Sequence, residues 1–424
     1  MRLFIIFICC SYFMFAQYKT LDSALLNGMK QVDIILYGNY MASSAAGNYT
    51  NNLYGSNKQI GNGGYINASV GLGYTTGFYY NLRLAISFRA TQALFNPNHF
   101  ARKDFFPNTG NEVLGDSSIA LGETFLEYFD GDTAIKVGRF QPISEWINYL
   151  TDGIWFRNGS LRNLVIEALW AYDYGRVSYY EISNFKRLDT TGLFNVGVRY
   201  FVDGDQKNYK NSAYVNAFSM FIPSVFTGIG VRAHWASNFH GRVWWIGLDL
   251  GFAGSIEDHR NIHAFSNNTF LFDTKIIGGY RNIDVMVGYL ANGDSGMGSL
   301  GILGVGNGTQ AGFSHAFYHN IQPFFVWGGR AIKMGKNAHL IYIASKMSFF
   351  ENKLNAYIAY GATFFNGSRY YGGNTQNISQ NELNAMIEFG ITRTLSVIAH
   401  ISSTHAGRGV PNIFELNGGV RFMF

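Results

Sequence analysis

Leu416-Asn417-Gly418-Gly419-Val420-Arg421-Phe422-Met423-Phe424 alternates with a period of two residues. Leu416, Val420, Phe422 and Phe424 share one face, and Asn417, Gly419 and Arg421 share the other. The sequence ends on this strand. A terminal strand left open presents a row of unpaired backbone groups and invites edge-to-edge aggregation. Pairing back onto the first strand removes that edge, so the stretch predicts a closed β-barrel.

Composition narrows the solvent this barrel faces. Of 424 residues only 14% are charged, against about 25% in soluble domains. Aromatics reach 17%, with 50 glycines and 6 prolines. Arg2 gives a positive start, Leu3 to Phe15 an apolar run too short to cross a bilayer, and Ala16-Gln17 a cleavage point. Residues 1–16 are therefore expected to be a secretory signal peptide. Both cysteines, Cys9 and Cys10, fall inside it, and Ile8 is too large for a lipoprotein box. A mature chain without cysteine excludes disulfides, thiolate metal sites and thiol catalysis. Losing Arg2 lowers the formal charge from +5 by one, with no basic cluster, which argues against nucleic-acid binding. No later stretch holds the roughly 18 consecutive apolar residues of a transmembrane helix. The remaining way to span a membrane is a closed antiparallel barrel.

The alternation starts after a short periplasmic segment, 17–30, with a helical turn near Thr20 to Leu26; the barrel itself is expected over 31–424. Asp33, Tyr37 and Asn39 face opposite to Val32, Ile34 and Leu36. Leu82, Leu84, Ile86, Phe88 and Ala90 alternate with Arg83, Ala85, Ser87 and Arg89. Strands are predicted near 31–42, 65–75, 79–91, 119–129, 133–140, 162–172, 176–184, 193–202, 211–221, 225–236, 242–253, 269–279, 283–291, 338–348, 353–364, 382–391, 394–404 and 412–424. That makes 18 transmembrane strands, with 322–336 assigned to the largest loop. Connections alternate between long ones and tight turns such as Asp130-Gly131-Asp132 and Tyr280 to Asn282. Long extracellular loops with short periplasmic turns is the pattern of outer-membrane barrels. Aromatics cluster beside the expected turns, including Phe78, Tyr80, Tyr128, Phe129, Tyr172, Tyr174, Tyr280, Phe349, Phe422 and Phe424, as an interfacial girdle would.

Three stretches carry a family resemblance. Tyr18-Lys19-Thr20-Leu21-Asp22-Ser23-Ala24-Leu25-Leu26-Asn27-Gly28 is similar to the start of mature epsilonproteobacterial porins of the Opr (OprD-like) type. Leu121-Gly122-Glu123-Thr124-Phe125-Leu126-Glu127-Tyr128, with Thr133-Ala134-Ile135-Lys136-Val137-Gly138-Arg139, resembles that family's fourth-to-fifth strand hairpin. The terminal Phe424 resembles the recognition strand read by the barrel-assembly machinery. The Helicobacter Hof outer-membrane proteins lie in the same neighbourhood. The resemblance implies an 18-stranded barrel that passes small solutes. The run Ile143 to Gly153 departs from the paired aspartates the family carries after Gln141-Pro142.

If apolar faces meet lipid, the opposite faces line a lumen. Arg83, Arg89, Glu123, Glu127, Lys136, Arg199, Arg232, Asp249, Asp273, Asp284 and Arg421 are the expected pore-lining charges. So many ions suit a wet channel, because an unpaired buried ion costs several kcal/mol. Arg83, Arg89 and Arg421 are expected to form a basic track near the closing seam, opposed by a negative wall of Asp249, Asp273 and Asp284. The alternative is that these arginines pair with Glu382, Glu388 or Glu415 and brace the seam. The loop 141–161, with Glu145, Trp146, Tyr149, Asp152, Trp155 and Arg157, is expected to fold inward and constrict the mouth.

Other motifs carry less. Gly296-Met297-Gly298-Ser299-Leu300-Gly301 matches a dinucleotide fingerprint in letters but lacks its βαβ setting. His259/His263 and His315/His319 are spaced like metal ligands but lie in expected loops without a third ligand. No Gly-x-Ser-x-Gly elbow is present. The sequence therefore predicts an outer-membrane diffusion porin, without enzyme activity, metal or cofactor. Its expected partners are lipid, small hydrophilic solutes or ions, and a second copy of itself in an oligomer. A plugged transporter for hydrophobic compounds and a surface adhesin on a barrel are the alternatives.

Overall fold

A computed structural model describes residues 17–43, 62–96, 118–142, 144, 147, 150–175, 177–178, 182, 185–187, 190–203, 209–239, 243–257, 268–294, 332, 335–367, 374–407, 410 and 412–424. The first 16 residues, the histidine pairs, the glycine-rich run at 296–301, nearly all of 322–336, and Glu145, Trp146 and Tyr149 lie outside them.

Eighteen long strands form among the described residues. They are β1 (Met29–Ser43), β2 (Gly63–Thr75), β3 (Leu82–Phe95), β4 (Ser118–Phe129), β5 (Thr133–Phe140), β6 (Leu150–Asn158), β7 (Leu164–Gly175), β8 (Leu193–Asp203) and β9 (Ser212–Ile222). Then follow β10 (Phe226–Phe239), β11 (Trp244–Glu257), β12 (Thr269–Tyr280), β13 (Ile283–Asn292), β14 (Lys336–Phe349), β15 (Leu354–Asn366), β16 (Ile378–Gly390), β17 (Leu395–Ala406) and β18 (Ile413–Met423). Each pairs antiparallel with its chain neighbours, and β1 also pairs with β18, with Gly38 opposite Gly418. Phe424 completes the seam: its amide donates to Val32 O at 2.9 Å and its carbonyl accepts from Val32 N at 3.0 Å. The terminal strand thus has no free edge. The barrel is closed; among the described residues helix is confined to α1 (Leu21–Leu26), a 3-10 turn at Tyr209–Asn211 and the single residue Ile332.

Two sequence expectations are corrected, and they offset each other in the strand count. Residues 150–158 are not part of a loop but strand β6, paired with β5 and β7. Its alternation is hard to see because Gly153 interrupts it and Trp155 and Phe156 are both large. Trp155 is buried on the inner wall, whereas Ile154 is exposed outside. Conversely, β7 and β8 pair directly, with no barrel strand between them where the sequence predicts one over 176–184. The described residues of that stretch show one isolated bridge, Val177 to Ile182, and β7 itself runs on to Gly175. Val177 and Ile182 favour extended backbone, but extension is used here locally. Tyr172 and Tyr174 consequently sit at the loop end of β7, not in the girdle beside the turns.

The turn end is ordered by local polar contacts. At the β4–β5 hairpin, Asp130 accepts from the backbone amides of Thr133 at 2.7 Å and Asp132 at 3.0 Å. The Thr133 amide, then that of Asp132, holds the Asp130 carboxyl below its usual value. A depressed folded-state value means the contribution is full above the ordinary carboxylate range, about pH 4, and fades as pH falls through the folded value. The thermal midpoint gap between wild type and Asp130→Asn should therefore narrow on acidification; a pH-independent gap would count against this account. The N-terminal segment packs on the neighbouring turn. Thr20 caps α1 through Ser23 N, Tyr18 N donates to Phe78 O at 2.9 Å, and Gly77 N donates to Ala24 O at 2.9 Å.

Candidate functional site

Alternation sorts the wall into two surfaces. Leu84, Ile86, Ile276 and Val287 stand outside and are about half exposed, as a lipid-facing belt requires. Asp33, Asn39, Glu127, Arg232, Asp249 and Asp273 point inward and are buried. The interior therefore carries the ionic side chains.

At the seam, charges from three strands converge. Asp33 on β1 meets Arg89 of β3 (Nη2 to Oδ2, 2.5 Å) and Arg421 of β18 (Nε to Oδ1, 2.8 Å). Arg89 also donates to Ser69 Oγ at 2.8 Å. The register explains the reach. Asp33 lies opposite Gly71 of β2, and Gly71 lies opposite Arg89. A Cβ on Gly71 would stand 2.6 Å from Arg89 Nη2, so a side chain there would push the guanidinium off its present path across β2 to the carboxylate. The carboxylate at the centre of this group is Asp33, whereas the bracing alternative expected Glu382, Glu388 or Glu415. The track residues are held in pairs: Arg83 pairs with Glu127, which also has Lys136 Nζ at 3.8 Å. Lys136 lies over Phe125 (4.7 Å) and Trp155 (5.7 Å).

Further round the wall, Arg157 Nε is 3.6 Å from Glu167, and the Arg199 guanidinium lies 5.1 Å over Tyr214. On β10 to β12, Arg232 contacts Asp249 at 3.0 Å and Asp273 at 3.9 Å, Lys275 contacts Asp273 at 3.2 Å, and His234 is 3.8 Å from Asp249. The expected negative wall is therefore corrected. Asp249 and Asp273 are buried among cations of their own and adjacent strands, as uncompensated carboxylates there would be too costly. Asp284 likewise accepts Lys210 at 3.2 Å. Towards the loop end a polar chain crosses the seam. Asn39 and Asn417 donate to Glu415 (2.9 and 3.1 Å), and Asn417 and Asn384 flank the His400 ring (3.0 and 3.3 Å).

Of the expected constriction residues, Asp152, Trp155 and Arg157 stand on β6, a strand rather than a loop. Asp152 takes a bidentate contact from Arg139 at 2.6 and 2.7 Å. Glu123 is exposed on β4, where two residues oppose one of β3, and accepts from Gln141 N at 3.2 Å. Between β5 and β6, Ser144 and Ile147 are buried, and Ser144 Oγ donates to Asn195 of β8 at 3.2 Å. Sequence reasoning missed Asp33, Lys210 and Trp245 as site residues. For Asp33 the signal was present, since it alternates with Val32 and Ile34, but its partners depend on register.

No family model matches the chain, and no curated protein matches it. Solved structures do. OccK9 (OpdG) of Pseudomonas aeruginosa superposes with a TM-score of 0.71 at 11% identity, over 95% of this chain and 99% of that one. OpdK of the same organism, solved with vanillate, gives 0.66 at 12% identity over 93% and 98%. OccAB4 of Acinetobacter baumannii gives 0.66 at 11% over 97% and 99%. At such identity the likeness is one of fold: this chain is an eighteen-stranded barrel with the architecture of the Occ proteins and OprD.

Proposed function

We propose that this chain is an outer-membrane diffusion porin passing small hydrophilic solutes, carboxylates foremost, through a water-filled lumen. The carrying observation is the inner wall, where ion pairs repeat from β1 round to β13 while the outer wall is apolar. A wall of this kind sets the field that a permeant ion feels. Arg83, Arg89, Arg199 and Arg421 supply guanidiniums that hold carboxylates in two-point contacts. Two structures of similar fold were solved with carboxylates, OpdK with vanillate and OccK2 (OpdF) with glucuronate, which supports this substrate class. The buried Ser144 and Ile147 support an inward fold of the segment after β5.

In this reading residues 1–16 direct export, Phe424 addresses the barrel-assembly machinery, and the chain is a relative of the epsilonproteobacterial Opr-type and Hof porins, which the likeness of 18–28 supports. The lipid face is free to pair with a second copy. Transport is passive and needs no cofactor. A plug is disfavoured by the N-terminal segment, which packs on the 76–81 turn at the rim.

Planar bilayers test the reading. Purified protein should give stepwise, ohmic currents, and glucuronate or vanillate should lower them. Arg83→Gln leaves Glu127 with Lys136 alone and should move the reversal potential towards cations. A barrel that inserts but carries no current would end the porin reading.

A further inference from the structure

The connection between β8 and β9, residues 204–211, is the longest on the turn side of the barrel, where 281–282 is the shortest. Its last residues form the 3-10 turn, and Lys210 reaches from there into the lumen. The ammonium lies 3.2 Å from both oxygens of Asp284 on β13 and 4.6 Å over the ring of Trp245 on β11. Both partners face inward. Their neighbours Trp244 and Val285 are exposed on the lipid side, while Trp245 is buried.

The receiving surface is built for this contact. Trp245, Gly279 and Asp284 lie in one cross-strand row: Trp245 pairs with Gly279, and Gly279 with Asp284. Trp245 Nε1 donates to Asp284 Oδ1 at 2.8 Å across the glycine. A Cβ at Gly279 would collide with both the indole nitrogen and that carboxylate oxygen. Gly279 thus serves here as Gly71 does at the seam. Lys346 of β14 stands opposite Asp284 in the next register position. One carboxylate therefore holds the Lys210 ammonium over an indole floor, at the end of the lumen that opens beside the tight turns.

We propose that Lys210 is a selectivity-determining residue of a second narrowing at the periplasmic exit, held against the inner wall by Asp284 and Trp245. Resting on the porin reading, this assigns the exit its own charge filter, separate from the segment after β5. The pair sets how much positive charge a departing solute meets. While Asp284 holds Lys210 the ammonium is largely neutralised. An anionic solute leaving the lumen competes with Asp284 for it.

Reversal potentials across a salt gradient test this. Asp284→Asn should shift selectivity towards anions and raise current noise, because the ammonium loses its anchor. Lys210→Gln should shift it towards cations. The swap Lys210→Asp with Asp284→Lys should return it close to wild type. Heat-modifiable mobility checks folding, and if Asp284→Asn fails to fold, Lys210→Gln, in a partly exposed turn, still decides. Lys210→Cys supplies the only thiol once residues 1–16 are removed, so a charged thiol reagent added from the turn side should alter the current. Conducting, folded variants with unmoved reversal potentials and a current indifferent to the reagent overturn the inference alone. A wild-type barrel that never conducts overturns it together with the porin reading.

Discussion

Asp33→Ala is expected to lower stability by about 3–5 kcal/mol, the cost of removing one partner from a buried ionic group. Asp33 is 2% exposed as a side chain, and its two partners, Arg89 and Arg421, are 12% and 23% exposed. Without the carboxylate, two guanidiniums face each other at the seam and lose the charge they share. Asp33→Asn keeps two acceptor or donor sites but no charge, so an intermediate loss is expected. Urea unfolding from liposomes would measure both. The reversal potential should also move towards anions, since two cations are released into the lumen. An Asp33→Ala barrel as stable as wild type would mean that lumen water already screens the pair, and the seam group would then be filter rather than brace.

Ile86→Arg is expected to cost about 2–4 kcal/mol, the range for a lipid-facing arginine near the bilayer midplane. Ile86 is 47% exposed on β3 between Leu84 and Phe88, which face the same way. Ser87→Arg, one position on, should change stability little. Ser87 points inward, opposite the irregularity in β4, and donates only to Glu123 O at 3.1 Å. Parallel unfolding curves for the two variants measure the contrast. Equal losses would show that β3 does not separate lipid from water at this height.

The fold was legible because a barrel writes itself into every strand. Period-two alternation at Val32 to Leu36 and Leu82 to Phe88 needs no distant information. Nor does the Asp130-Gly131 turn. The β6 strand was missed where the local signal fails, at Gly153 and the Trp155-Phe156 pair. That Glu127 and Arg232 are buried inward was also legible, since parity alone assigns it; the exposed Glu123, beside the irregularity of β4, was not. Nor were the partners of these ions. Whether Arg89 meets Asp33 depends on the register of two hairpins and on the missing Cβ of Gly71. Lys210 was invisible for a different reason. It belongs to a connection, and no periodicity says that a connection turns into the lumen.

The seam also has a consequence in time. Asp33 and Arg421 are 388 positions apart, and Phe424 binds Val32 across a similar span. Every other strand pairs with a neighbour close in sequence, at modest loop-closure entropy. β1 and β18 can meet only after the rest of the sheet has curled, so closure is expected to be the slow, late step of folding. Until then Asp33 and Arg421 lack each other, and both edges stay open. Substitutions at Asp33 or Arg421 should therefore speed unfolding far more than they slow the early formation of strands.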